Sequence, residues 1–123
     1  MSLINCAKVS IKYSTLLGFR AFAAKKIHKQ ELIEKGTITW INPNHVYDEN
    51  LFYHKQLNGF LNGCAHLYSK HESPNAIIYP NIKHQTYEII ALKHIKKNDL
   101  LSIKSNILDV KFKHNFLHFP CDN

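Results

Sequence analysis

The sequence predicts a mainly β domain, and three observations predict it. Short runs rich in β-branched and aromatic residues recur along the chain, as in residues 31–40, which hold Ile33, Thr37, Ile38 and Thr39. Loop-forming clusters punctuate them: Asn42-Pro43-Asn44, Ser73-Pro74-Asn75 and Pro80-Asn81. Helical spacing of apolar residues is clear in one segment only, so strands and long loops carry most of the fold.

The elements follow in order. Residues 7–11 alternate polar and apolar and predict a short strand, which Leu17-Gly18-Phe19-Arg20 breaks. An apolar run resumes over 21–24, and a charged turn follows over 25–30. Residues 31–40 predict a strand, ended by the Asn-Pro-Asn loop. Asp48 is a candidate N-cap for a helix reaching Leu61. Tyr53, Leu57, Phe60 and Leu61 would line its buried face, and Gly63 would close it as a C-cap glycine. Ser73-Pro74-Asn75 turns the chain into a strand over 76–79, and Pro80-Asn81 turns it again. Residues 87–92 are apolar apart from Glu88 and predict a buried strand. A hydrophilic turn over 96–99 leads to a last strand over 100–104, and a tail over 107–123 carries Phe112, Phe116, Leu117 and Phe119. Core packing is the default for those aromatics, because exposed phenylalanine clusters are uncommon on monomers.

The length of 123 residues suits a single domain over 1–123, and 45% hydrophobic residues are enough for a packed core. No apolar run approaches the roughly 20 residues that span a bilayer, and the first residues lack a signal-peptide core, so no membrane partner is expected and the location expected is intracellular and soluble. The net charge of +7 favours an acidic partner or a nucleic acid. Against nucleic acid, the lysines are spread along the chain and Arg20 is the sole arginine. Cys6, Cys64 and Cys121 are widely spaced and odd in number, which argues against a disulfide framework and for a reducing compartment. No Cys-x-x-Cys pair suggests a zinc knuckle. His114 and His118 stand four apart with Cys121 nearby, a spacing able to hold a transition metal; a basic aromatic tail is the plainer account, and no metal site is expected. Cys64 followed by Ala65-His66 is a poor nucleophile-base pair, since adjacent side chains seldom converge. Asp48, Glu49, Asp99 and Asp109 show no paired-carboxylate pattern, and there is no P-loop or dinucleotide fingerprint.

Residues 61–75, LNGCAHLYSKHESPN, resemble the knot-forming block of a SET domain, the fold of protein-lysine methyltransferases. That block usually runs A-L-G-x-G-S-L-Y-N-H-S-x-x-P-N. Gly63, Leu67, Tyr68, Pro74 and Asn75 match it, while Ser69, Lys70 and His71 replace its Asn-His-Ser triplet. Residues 14–35 resemble the opening block through Gly18, Phe22, Ala23, Ile27, Glu31 and Ile33. Residues 89–103 resemble the third block through Ala91, Ile95, Asp99 and Leu101, with Asn98 in place of a turn glycine. The three blocks stand in the family order over 14–106, and the size resembles the smallest viral and bacterial members.

The resemblance implies a β-clip fold of small curled sheets with a C-terminal pseudoknot and one or two short helices. It also implies a cleft for S-adenosylmethionine with Gly18, Phe19, Arg20 and Ser69 at pocket positions. Three family devices are altered. Arg20 takes the place of the second turn glycine, either exposed or set to bind a ligand carboxylate. Ser69 lacks the donor-acceptor pair of the family asparagine, and Lys70 should turn outward or find a carboxylate. Ser105 takes the place of the tyrosine that orients the lysine amine, and no tyrosine follows Tyr87. Losing one preorganised group costs about 10²–10³ in rate. The sequence therefore favours a degenerate SET protein, a pseudo-methyltransferase that binds a protein or peptide. A divergent active methyltransferase, with Tyr68, Tyr79 or Tyr87 supplying the hydroxyl, and a nucleic-acid-associated protein are the alternatives. Small family members dimerise, so the resemblance also allows a homodimer.

Overall fold

Among the described residues, nine strands build three small β-sheets. The structure is a computed structural model, and it describes residues 3–41, 51–54, 57–81 and 83–104. Strand β1 (Val9–Ser14) pairs antiparallel with β2 (Gly18–Ala23). A five-stranded antiparallel sheet has the order β4 (Leu51–His54), β5 (Leu57–Asn62), β3 (Leu32–Ile41), β8 (Thr86–Ala91), β7 (Ala76–Asn81). Strand β6 (Ser69–His71) pairs in parallel with β9 (Ser102–Lys104). Parallel partners need a long crossover, and β7, β8 and the loop after them supply it.

Apolar residues alternate along the strands, and their inner set forms the core. Ala21 and Ala23 on β2, Ala76 and Ile78 on β7, and Tyr87, Ile89 and Ala91 on β8 are all buried. Ile27, Ile95 and Leu101 are buried in the loops between strands. Each fully buried Ile or Leu stabilises the fold by about 1.5–3 kcal/mol. Backbone pairing ties those loops down: Ile27 and Ile95 exchange hydrogen bonds of 2.9 and 2.8 Å, and Leu101 N donates to Ala21 O at 2.9 Å. Residues 87–92 are therefore one-sided rather than uniformly buried, with Glu88 and Leu92 exposed.

Strand β3 is ten residues long and needs partners along its whole length. Strand β8 pairs with its first half, Leu32 to Thr37, and β5 pairs with its second, Thr37 to Ile41. This demand overrides the helical spacing of Tyr53, Leu57, Phe60 and Leu61. The described part of the predicted helix over 48–61 is instead the hairpin β4–β5. Gly63 follows a strand and caps no helix. Of the one or two helices expected, the described residues hold only a single 3-10 turn, Ala65–Leu67.

Two turn expectations are also displaced. Gly18, Phe19 and Arg20 belong to β2, and the reversal precedes them. Pro80 and Asn81 lie inside β7, paired with Tyr87 and Thr86. Strand β7 is an edge strand, where a missing N–H costs no ladder bond. Asn98 adopts the left-handed conformation foreseen for it, with φ of 74°.

Asn75 fastens β9 in place. Its Nδ2 donates to Leu100 O at 2.9 Å, and its Oδ1 accepts from Ser102 N at 2.8 Å. Ser69 N donates to Leu101 O at 3.0 Å, so 100–104 lies against 69–75. Ser105 and the tail with His114, His118 and Cys121, like Asp48 and the Asn42-Pro43-Asn44 loop, lie outside the described residues.

Candidate functional site

An open cleft of about 550 Å³ lies between the start of β2 and the segment that runs from the 3-10 turn into β6. Leu17, Arg20, His66, Leu67, Tyr68, Ser69 and Lys70 line it. Gly18 opens β2 with φ of +78°, a conformation that side chains disfavour, and a Cβ there would meet open space. Strand alternation then directs Phe19 and Arg20 to opposite faces. Phe19 is exposed and packs edge-on against Tyr13, with ring centroids 5.2 Å apart. Arg20 turns to the cleft, and its Nη1 donates to Phe19 O at 2.8 Å. Of the four pocket positions expected from sequence, Arg20 and Ser69 line this cleft, whereas Gly18 and Phe19 do not.

The lining is cationic. Arg20 and Lys70 make it so, and no carboxylate among the described residues lines it. Lys70 is exposed. His71 is also exposed, and its Nδ1 accepts from Ser73 N at 2.9 Å, which leaves it capping a local turn. The Ser69 Oγ is buried and has no hydrogen-bond partner among the described residues. Beside the cleft the β1–β2 hairpin carries exposed apolar side chains, Tyr13, Leu16, Leu17 and Phe19.

Behind the cleft wall stands a buried polar centre that the sequence did not announce. The pairing of β3 with β8 shifts register between Leu32 and Glu34. A bulge of this kind turns two successive side chains to one face, and Ile33 and Glu34 are both buried, at 2% and 1% exposure. The Glu34 carboxylate accepts from Tyr68 OH at 2.8 Å through Oε1. Its Oε2 accepts from Tyr87 OH at 2.7 Å and from Cys64 N at 3.0 Å. Burial, and then the Glu34 charge, push both phenols above their ordinary range, so both stay protonated and donate.

Gly63 makes this centre possible. A Cβ there would fall on the Tyr87 hydroxyl and 2.8 Å from Glu34 Oε2. Antiparallel bridging of Asn5 to Lys35 lays the N-terminal segment beside β3 and brings Cys6 to the same place. The Cys6 and Cys64 sulfurs and a Glu34 oxygen all lie within 4.8 Å of one another. Burial pushes the Cys6 thiol up to about 12, with Glu34 the next cause, and the same two causes raise Cys64. No sequence signal pointed to this cluster, because strict alternation along β3 would set neighbouring side chains on opposite faces.

Tyr68 lines the cleft, but its hydroxyl is spent on Glu34. Tyr87 is buried with its hydroxyl on the same carboxylate. Tyr79 borders a separate cleft of about 470 Å³, with Leu3, Lys35 and Glu88.

The described chain superimposes on the crystal structure of a Plasmodium falciparum protein provisionally named a histone methyltransferase, with a TM-score of 0.68. Identity is 24%, and the match covers 80% of this chain and 92% of that one. The fold is a SET fold. A chain of an active polycomb repressive complex 2 in its basal state matches at a TM-score of 0.63 and 18% identity, covering 81% of this chain. A chain of a humanised Chaetomium thermophilum polycomb repressive complex 2, bound to an inhibitor, matches at 0.61 and 18%, again over 81%. This chain spans only 16% and 15% of those two longer chains. At such identities the likeness shows the SET fold alone. No protein-family model and no curated protein sequence matches the chain. No helix among the described residues is long and apolar enough to cross a membrane.

Proposed function

We propose that this chain is a SET-fold binding module without methyl-transfer chemistry, and that its cationic cleft holds an extended, acidic peptide. The observation that carries this is the state of the tyrosine hydroxyls. Tyr68 is the only tyrosine on the described cleft lining, and its hydroxyl is already committed to Glu34. Methyl transfer to an amine needs a group that aims the amine and stabilises the moving charge.

The lining supports S-adenosylmethionine poorly. Arg20 suits the carboxylate end of that molecule. The Ser69 hydroxyl, however, lacks an amide's donor-acceptor pair and lies buried without a partner among the described residues. No lining carboxylate stands ready for the donor's ammonium group or ribose.

An acidic peptide meets the same surface well. Arg20 and Lys70 supply charge, and Leu17 with Leu16 beside it supplies an apolar anchor next to that charge. Protein partners fit this surface better than nucleic acid, since Arg20 is the one arginine of the described lining and the exposed side chains next to it include the aliphatic Leu16 and Leu17.

Calorimetric titration tests the proposal. S-adenosylmethionine is expected to give no micromolar binding, whereas extended peptides rich in Asp and Glu bind and lose about ten- to a hundredfold in affinity in the Arg20→Ala variant. Micromolar binding of S-adenosylmethionine would overturn it. So would transfer of labelled methyl groups to histones or lysate proteins above a Tyr68→Phe control.

A further inference from the structure

We propose that Cys6, Glu34 and Cys64 form a binding site for a thiophilic divalent metal ion, with Zn²⁺ as the ion the donor set suits best. Three separate chain segments converge there: the N-terminal segment, β3, and the turn after β5. Their two sulfurs and one carboxylate oxygen lie within 4.8 Å of one another. In a tetrahedral zinc site with Zn–S of about 2.3 Å, neighbouring donor atoms stand about 3.8 Å apart. The three donors thus need to close by at most about 1 Å.

The surroundings are those of a built site. A carboxylate has about four lone-pair positions. Tyr68 OH, Tyr87 OH and Cys64 N occupy three of them, which fixes the orientation of Glu34 and leaves one for a metal. Hydrogen bonds that orient a ligating carboxylate in this way tune a metal site and raise its affinity. Gly63 leaves the room that the Tyr87 hydroxyl takes beside Glu34, so that hydrogen bond can form. Cys6 and Cys64 are only half-buried, so an ion can enter and water can complete its shell. Two thiolates and a carboxylate neutralise the dication and leave one net negative charge. Binding therefore expels the two thiol protons to solvent.

The metal pins the N-terminal segment and the 64–68 turn, one wall of the cleft, onto β3. The site shares no ligating side chain with the cleft lining, so its test stands whatever the cleft binds. Thiol softness excludes Mg²⁺ and Ca²⁺ as its occupants.

The test is a Co²⁺ titration of the metal-free full chain under a phosphine reductant, followed by absorption. A single Co²⁺ per chain is expected, with thiolate-to-cobalt charge transfer and intense tetrahedral bands, displaced by Zn²⁺. Cys6→Ser and Cys64→Ser should each weaken the charge-transfer band and lower affinity by at least about tenfold, the smallest loss that disturbing a metal's surroundings usually brings. Cys121→Ser should keep both. Zn²⁺ should raise the melting temperature of the native chain but not of the Cys6→Ser, Cys64→Ser double variant. A native chain with no thiolate band overturns the proposal, whether or not the variants fold. So does a band that survives in the double variant and disappears in Cys121→Ser.

Discussion

Removing the Tyr87 hydroxyl tests the buried polar centre on which this fold closes. In Tyr87→Phe the ring remains, and the 2.7 Å hydrogen bond to Glu34 Oε2 is lost together with a long one of 3.4 Å to Asn62 O. A hydrogen bond to a charged group contributes about 1.5–3 kcal/mol. Glu34 keeps Tyr68 OH and Cys64 N, so the loss should sit near the middle of that range, at about 2 kcal/mol. For a domain of this size that is a fall of about 8 °C in melting temperature. The informative step is the second deletion. Tyr68→Phe alone should cost a similar amount, but in the double variant the carboxylate, at 1% exposure, retains only a backbone N–H. A buried charge with one donor is much worse than one with two, so the double loss should exceed the sum of the single losses by about 1 kcal/mol or more. Urea unfolding followed by far-ultraviolet circular dichroism measures all four corners of the cycle. A Tyr87→Phe loss below about 0.5 kcal/mol, or a strictly additive double variant, would refute the argument that the two phenols share one carboxyl partner.

Other outcomes follow from neighbouring contacts. Gly63→Ala should destabilise by about 1–3 kcal/mol, because its Cβ collides with the Tyr87 hydroxyl, and thermal melts should show Gly63→Ala recovering part of that loss in a Tyr87→Phe background. Asn75→Ala strands Leu100 O and Ser102 N and should cost about 2–4 kcal/mol, with amide exchange accelerating first in β9. Hydrogen bonding from Lys8, and then from the His28 backbone, holds the Glu31 carboxyl below its usual range. A lowered folded value stabilises above the unfolded pKa of about 4.3 and is lost as pH falls through the folded value. The native chain should thus melt slightly above Glu31→Gln near neutrality and converge with it in acid, and a gap that widens on acidification would contradict this.

The strands fared unevenly as sequence signals. The runs that became β3, β7 and β8 could be read because one face is buried and their side chains alternate against it. The blocks carrying Gly18, Asn75 and Asn98 could be read because turn chemistry is local: a residue at positive φ or a side-chain amide serving backbone groups declares itself by type. The region 51–62 could not be read in this way. Leu57, Phe60 and Leu61 satisfy a helical period as well as a strand, and the choice was made by the unpaired far half of β3, which no local window contains.

What the amino-acid order determined by itself was the class of fold and the residue types gathered near the cleft, Arg20 and Ser69 among them, since patterning and turn residues act over a few positions. What the tertiary structure decided was the fate of the polar groups. A bulge in β3 swung Glu34 inward, one carboxylate then claimed two phenols, and the packing set Cys6 and Cys64 beside it. Those partners are distant in the chain and meet only because buried polar atoms must be satisfied by whatever the packing brings within reach.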